Sequence, residues 1–213
     1  KLNEISYDEM LELARLGAGV LHSRSVEFGK KYNVRIHVRS SFNRNEGTIV
    51  KPREEMMEKF TMSGVTSKSD EVKFNIYGIP DCPGIAQKIF TVLGEEKIYV
   101  NMIVQSTGKD GKADISFTVL KKDIDRVKAI SEKIKTELKG DEVTFQDNIA
   151  IVSAVGVGML SSAGVAGKLF RILSDHNINI QMISTSEIGI SCVIDEMYAE
   201  LAVKSIHKEF MEK

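Results

Sequence analysis

The stretch PDCPGIAQKIFTVLGEEKIYVNMI, residues 80–103, returns in altered form as SAGVAGKLFRILSDHNINIQMI at 162–183. An offset of 80 residues places Gly84 on Gly164, Ala86 on Ala166, Lys88 on Lys168, Phe90 on Phe170 and Leu93 on Leu173. The same offset places Ile98 on Ile178, Met102 on Met182, Ile103 on Ile183 and Ser106 on Ser186. Small residues recur just ahead of an apolar helical pattern and apolar beats recur after it, so the chain is a duplication of one supersecondary unit.

Each copy reads the same way. In the first, VKFNIYGI is strand-like, PGIAQKIFTVLGEEK is an amphipathic helix, and VNMIVQS and ADISFTVL are strands around the turn GKDG. Asp123 is expected to cap a helix on which Ile124, Val127, Ile130, Ile134 and Leu138 recur at spacings of three and four, and VTFQD at 143–147 supplies a last strand. The second copy runs from IAIVSAVGVG through GVAGKLFRILSDH and NIQMISTS, turns at 187–189 into ISCVI, and ends on a helix opened by Asp195. That copy has no sixth element, and an open sheet edge must be covered. The strand-like KFTMSGVT at 59–66 has no partner of its own and is expected to close it, which makes the first copy an insertion within the second.

Ahead of the duplication, Ser6 followed by Glu9 reads as a capping box and predicts a helix to about Gly17. A second helix is expected from about Ser23 to Asn33, then a strand at 34–40 and a linker, RNEGTIVKPREEMMEKF, broken by Gly47 and Pro52. Helix, helix and strand are too little for a domain, and the chain starts at Lys1 without Met; both suggest a piece of something longer.

Composition narrows the function. With 42% hydrophobic and 28% charged residues the chain is globular, and 29 basic against 30 acidic side chains leave no field to recruit nucleic acid or an anionic membrane. There is neither a bilayer-length apolar run nor a signal-peptide pattern, and Cys82 and Cys192 make neither a CxxC pair nor a disulfide framework, so a reducing cytoplasm is expected. His22, His37, His176 and His207 lack metal-ligand spacing, no catalytic set emerges from spacing, and 78–84 and 156–164 fit neither a P-loop nor a dinucleotide turn. The turns offer another chemistry. Pro83 is expected at the first helical position, and Gly84 and Gly164 let a carboxylate approach the free amides of a helix start. Asp81 stands ready for an ammonium group, and Asn101, Gln105, Gln181, Thr185 and Ser186 place polar groups on the following strand. Such a set suits a free amino acid; ordinary turn chemistry with solvated polar groups is the competing explanation.

The repeated strand-helix-strand-strand-helix unit with a glycine-bearing first turn resembles the ACT domain. More narrowly, ISYDEMLELARLGAGVLHSRSVEF, IHVRSSFN followed by GT, GVTSKSD, NINIQMISTSE and ISCVI resemble the C-terminal half of aspartokinase over nearly the whole chain. The resemblance implies an α+β fold: two ferredoxin-like ACT domains of βαββαβ order in tandem, one inserted in the other, preceded by a helix-helix-strand tail of an α/β kinase domain. The implied bounds are 1–50 for the kinase tail, 51–58 for a linker, 67–148 for the first ACT domain, and 59–66 plus 149–213 for the second. It also implies feedback inhibition by lysine, threonine or both, bound between ACT domains and often across a homodimer, so the protein would control ATP-dependent phosphorylation of L-aspartate. The positions that match the family's effector site are Asp81, Pro83, Gly84, Ile85, Ala86, Asn101 and Gln105 in the first copy. In the second they are Met159, Gly164, Val165, Asn179, Ile180, Gln181, Ser184, Thr185, Ser186 and Glu187. The family's usual GAKVLHPR stands here as GAGVLHSR at 17–24, and the KFGGTS phosphate-binding motif is absent. The chain is therefore expected to need no cofactor itself, the parent enzyme using ATP and Mg, and not to phosphorylate aspartate alone. Two alternatives stay open: a ligand-free ACT dimerisation module, and an active aspartokinase seen without its N-terminal half.

Overall fold

Ser6 is where the chain first commits to a helix. In the computed structural model, which describes residues 2–55, 62–108, 110–159 and 163–212, β1 (Glu4–Ser6) runs into α1 (Tyr7–Arg15) through the capping box. The Ser6 hydroxyl accepts from the Glu9 amide at 3.2 Å, and the Glu9 carboxylate accepts from the Ser6 amide at 3.2 Å. Two of the amides that a helix start leaves without acceptors are thereby satisfied. α2 (Ser23–Lys31) starts at His22, whose Nδ1 accepts from the Arg24 amide at 3.3 Å, and the chain leaves it through Asn33 in the left-handed region at φ 52°.

The stretch expected as a linker is partly sheet. β2 (Ile36–Val38) is followed by β3 (Thr48–Lys51), and β3 is the middle strand of a three-stranded sheet, parallel to β1 and antiparallel to β2. Gly47 does break the chain, yet the β-branched Ile49 and Val50 after it pair on both sides, and Val50 is fully buried. Arg53–Glu55 forms one 3-10 turn, residues 56–61 lie outside the described residues, and β4 (Gly64–Lys68) follows.

The first copy of the repeat is complete in itself. Its elements are β5 (Glu71–Pro80), α3 (Ile85–Glu95), β6 (Val100–Thr107), β7 (Lys112–Leu120), α4 (Ile124–Leu138) and β8 (Glu142–Gln146). The strands form an antiparallel sheet of order β6-β7-β5-β8. Ile85, Ile89 and Leu93 fall at helical spacing on α3 and pack with Val127 and Ile134 of α4 over Phe74, Ile76, Ile115 and Phe117. One expected helix start is corrected, and another keeps its place without its capping bond. Helix α3 begins at Ile85 with Gly84 as its cap, so Pro83 precedes the helix. Asp123 offers no capping bond, because a 3-10 turn, Lys121–Asp123, comes between strand and helix and its carboxylate turns toward Arg126 at 3.5 Å.

The second copy comprises β9 (Ile149–Val155), α5 (Val165–Asp175), β10 (Met182–Thr185), β11 (Gly189–Asp195) and α6 (Ala199–Met211). Asp195 accepts from the Met197 amide at 3.0 Å and so opens the 3-10 turn that leads into α6. The sheet order is β10-β11-β9-β4. Strand β4 pairs antiparallel with β9 from Gly64 opposite Val155 to Lys68 opposite Ile151, the place that β8 takes beside β5 in the first copy. The first copy is thus inserted between the last strand of the second and the rest of it.

By contact the chain divides into Lys1–Lys68 with Ile151–Lys213, and Ser69–Ala150. The leading piece therefore joins the second copy. A shared core of Ile5, Tyr7, Met10, Leu13, Val26 and Val50 includes Val155 at the end of β9, with Ile188 packed against it. Among the described residues no helix is long and apolar enough to cross a membrane.

Candidate functional site

In both copies the chain enters its first helix through a glycine in the left-handed region, Gly84 at φ 94° and Gly164 at φ 89°. A side chain in that conformation costs about 1–2 kcal/mol. Among the described residues a Cβ at either glycine would meet nothing within 4 Å, so backbone conformation and not packing calls for glycine there. Among the described residues no side chain caps either helix, which leaves first-turn amides behind an open approach. A helix start of this form favours an anion.

Around the first-copy turn, Asp81, Pro83 and Gly84 are exposed, and the Asp81 amide is held by the Gly111 carbonyl at 2.8 Å. Ile85 is buried and Ala86 packs against the core, so their side chains belong to the fold and only their amides face the turn. Asn101 lies in the irregularity between Val100 and Ile103 on β6, and its amide nitrogen donates to Glu71 Oε1 at 2.8 Å. Gln105, exposed and opposite Ile115, is not drawn into that contact.

In the second copy Met159 closes the 3-10 turn Val157–Met159 and is half-buried, while Val165 is core. Asn179 is exposed and Ile180 half-buried just before β10, and the Gln181 amide donates to the Val193 carbonyl at 2.8 Å. Ser184 sits opposite Ser191, Thr185 and Glu187 are exposed, and Ser186 is bound from two sides. Its amide donates to the Gly189 carbonyl at 2.9 Å and its hydroxyl donates to Glu12 Oε1 at 3.0 Å.

The structure adds partners that sequence reasoning missed. Glu9 was visible as half of a capping box, but its other oxygen accepts from the Val157 amide at 3.1 Å and from the Ser63 hydroxyl. Ser153 and Ser191 join hydroxyls at 2.8 Å across adjacent strands, and Thr66 and Ser184 sit opposite them. The four make a polar row across the sheet that only strand pairing reveals. A groove of about 440 Å³ between α3 and α4 is lined by Gly84, Gln87, Lys88, Thr91, Ile134 and Glu137, among others. Of the expected set only Gly84 lines it, and its other lining residues come from the two helices. Among the described residues no group of three or more His, Cys, Asp or Glu is placed to hold a metal ion. Both cysteines are free: Cys82 is exposed, and burial pushes the Cys192 thiol up to about 12.

An ACT-domain family model matches residues 75–133 and 152–210, one match on each copy. The chain is 47% identical over 211 residues to the aspartokinase of Helicobacter pylori, a match spanning 97% of this chain and 52% of that protein. It is 37% identical to the regulatory subunit of aspartate kinase from Thermus thermophilus, solved in a ligand-free form, over 70% of this chain and 99% of that one, with a TM-score of 0.66. The chain belongs to the aspartokinase family. It carries the family's regulatory region of paired ACT domains, and it spans about half the length of the curated relatives it matches. A solved E. coli aspartokinase III, in complex with lysine and aspartate in the T-state, shares the fold at 20% identity and a TM-score of 0.72, over 99% of this chain and 46% of that one.

Proposed function

We propose that this aspartokinase region binds lysine, threonine or both at seams between ACT domains, and so controls ATP-dependent phosphorylation of L-aspartate by a kinase catalytic half. The observation that carries the reading is the pair of uncapped, glycine-fronted helix starts, Gly84 and Gly164, at homologous places in two sheets. Each suits the carboxylate of an amino acid. Asp81, Asn101 and Gln105 in one copy, and Gln181, Ser184 and Thr185 in the other, supply groups for its ammonium and side chain, and the lysine complex of E. coli aspartokinase III favours lysine. Pairing with a second copy of the chain draws support from β6 and β10, the outer strands of their sheets, which carry Ile103 at 53% exposure and Ile183 at 42%. Residues 1–50 serve as the tail of the kinase domain, ATP and Mg act on the catalytic half, and the protein works in the cytoplasm. An effector moves the kinase only by its differential affinity for two arrangements, and a coupling of about 1–3 kcal/mol gives strong feedback.

Calorimetry of the chain with lysine and with threonine tests this: heat with at least one is expected, and neither heat nor a thermal shift with both overturns it. Asp81→Ala and Gln181→Ala are expected to weaken binding without unfolding the chain, and unchanged affinity in both removes these residues from the site. A second reading, a separate regulatory subunit that acts in trans, is favoured by the likeness to the Thermus thermophilus regulatory subunit over nearly all of its length. A search of the coding sequence upstream for the KFGGTS motif separates the two.

A further inference from the structure

We infer that Glu9 and Glu12 form a paired tie through which α1 is coupled to the two loops of the second-copy site, so that an amino acid seated there changes how firmly α1 is held. The inference rests on the effector reading above and names the device that would carry the signal.

Glu9 is 1% exposed, and its carboxylate is shared. One oxygen closes the capping box, accepting from the Ser6 amide at 3.2 Å and the Ser6 hydroxyl at 2.6 Å. The other accepts from the Ser63 hydroxyl and from the Val157 amide at 3.1 Å. Val157 opens the 3-10 turn that ends at Met159, on the way from β9 to Gly164. A capping box needs one carboxylate oxygen, so the second does separate work. One turn further along α1, Glu12 Oε1 accepts from the Ser186 hydroxyl at 3.0 Å, in the turn between β10 and β11. Residues three apart on a helix share a face, so a single face of α1 grips both loops. The loops also grip each other, the Gly156 amide donating to the Ile188 carbonyl at 2.8 Å, while Ile188 packs against the core around α1.

The first copy fastens the corresponding loops differently. There the Gly78 amide donates to Asp114 at 2.9 Å, the Asp81 amide to Gly111 at 2.8 Å and the Asp141 amide to Tyr77 at 2.9 Å, all within the inserted unit. The same turn that the first copy fastens to its own sheet is fastened in the second to a helix of the leading piece. Bonds from amide and hydroxyl to a carboxylate are shorter and stronger than bonds between neutral groups, so a loop that moves away from α1 gives up more than an ordinary contact. Linkage then makes the effect reciprocal: whatever the ligand does to the tie, the tie does to ligand affinity.

Hydrogen exchange and calorimetry on the chain, with Glu12→Ala and Glu12→Gln beside the wild type, test the inference. Glu12 is half-buried and lies outside the cores, and the glutamine keeps an oxygen that can accept from Ser186. Without ligand, E12A is expected to speed exchange at 186–189 by about tenfold, with E12Q restoring most of the protection. With saturating lysine or threonine, exchange of the wild-type α1 amides at 10–15 is expected to change by at least about threefold, and E12A to lose that response and shift affinity by a similar factor. Unchanged exchange at 186–189 in E12A overturns the tie. Binding without any response in wild-type α1 overturns the coupling. Loosened loops in E12A with no heat from either amino acid overturn the effector reading and the coupling with it, and leave the tie as a structural bond only.

Discussion

The two copies of the ACT unit use one backbone plan with different fillings. In the first, Ile103 stands opposite Phe117, which stacks on Phe74 with ring centroids 5.8 Å apart and takes Phe90 edge-on at 5.8 Å. In the second, Ile183 stands opposite Cys192, and the offset that superposes the repeats brings Ala154 to the place of Phe74. The inserted copy is built round three aromatic rings and closed by its own β8. The outer copy has Ala154 and Cys192 at the places of Phe74 and Phe117, borrows β4 from ahead of the insertion, and shares Val155 with the core of the leading piece. A unit that must stand alone fills its own interior, whereas one that leans on a neighbour draws part of its burial from outside.

The sharpest way to break this contrast is at the paired centres. Phe117→Ala is expected to destabilise the inserted unit by about 3–5 kcal/mol, and Cys192→Ala to cost about 1 kcal/mol, in chemical denaturation followed separately for each unit. Equal losses would remove the distinction. Next in size is alkaline pH. Burial raises the Cys192 thiol from its ordinary value of 9.0 to about 12, so the folded protein keeps the proton while the unfolded chain loses it above pH 9.0. The stabilising contribution is complete below pH 9.0 and is lost as pH rises toward 12, at about 1.4 kcal/mol per pH unit. Between pH 8 and 11 the wild type is expected to lose about 2–3 kcal/mol more than C192A, and native-state thiol labelling at pH 8 should modify Cys82 well before Cys192.

The shared plan is tested at the glycines. Gly84→Ala and Gly164→Ala are each expected to cost about 1–2 kcal/mol, since both force an L side chain into the left-handed region with nothing nearby to clash. Markedly unequal losses would show that one turn relaxes when the other cannot. Smallest is a lysine pair. Lys168 lies 4.5 Å from the Phe210 ring centroid and 3.0 Å from Glu209, while its counterpart Lys88 lines the groove between α3 and α4. Lys168→Ala is expected to cost about 0.5–1 kcal/mol and Lys88→Ala close to nothing in thermal unfolding.

What was legible beforehand was local or repeated. The Ser6–Glu9 box needs only four consecutive residues, and the duplicated beats at Ile98 and Ile178 or Met102 and Met182 announce themselves by recurrence. The closing strand was found by elimination, because an unfinished sheet demands one. β1 and β3 escaped notice because each is short and is stabilised by the other, a pairing between residues more than forty apart that no window along the chain contains. Residue preference alone puts Pro83 at a helix start, but a turn and Gly84 intervene; it puts Asp123 at the right place, yet the carboxylate faces Arg126 and makes no capping bond. The bond between Glu9 and Val157 was the least legible, since a carboxylate already explained by a capping box gives no hint that its second oxygen has a distant partner.

The borrowed strand also sets an order of events. Thr66 leaves the ribosome before the inserted unit and Ser153, its opposite number, after it. The insertion can collect its own contacts as soon as β8 emerges. The surrounding sheet must wait, β4 held with an unpaired edge until β9 arrives, and the distance in sequence makes that closure a late, slow step. If the middle of the chain condenses early, it draws the two ends of the outer sheet together and shortens the loop that remains to be closed. The nested arrangement thus gives the inner unit a second task, as the scaffold on which the outer one assembles.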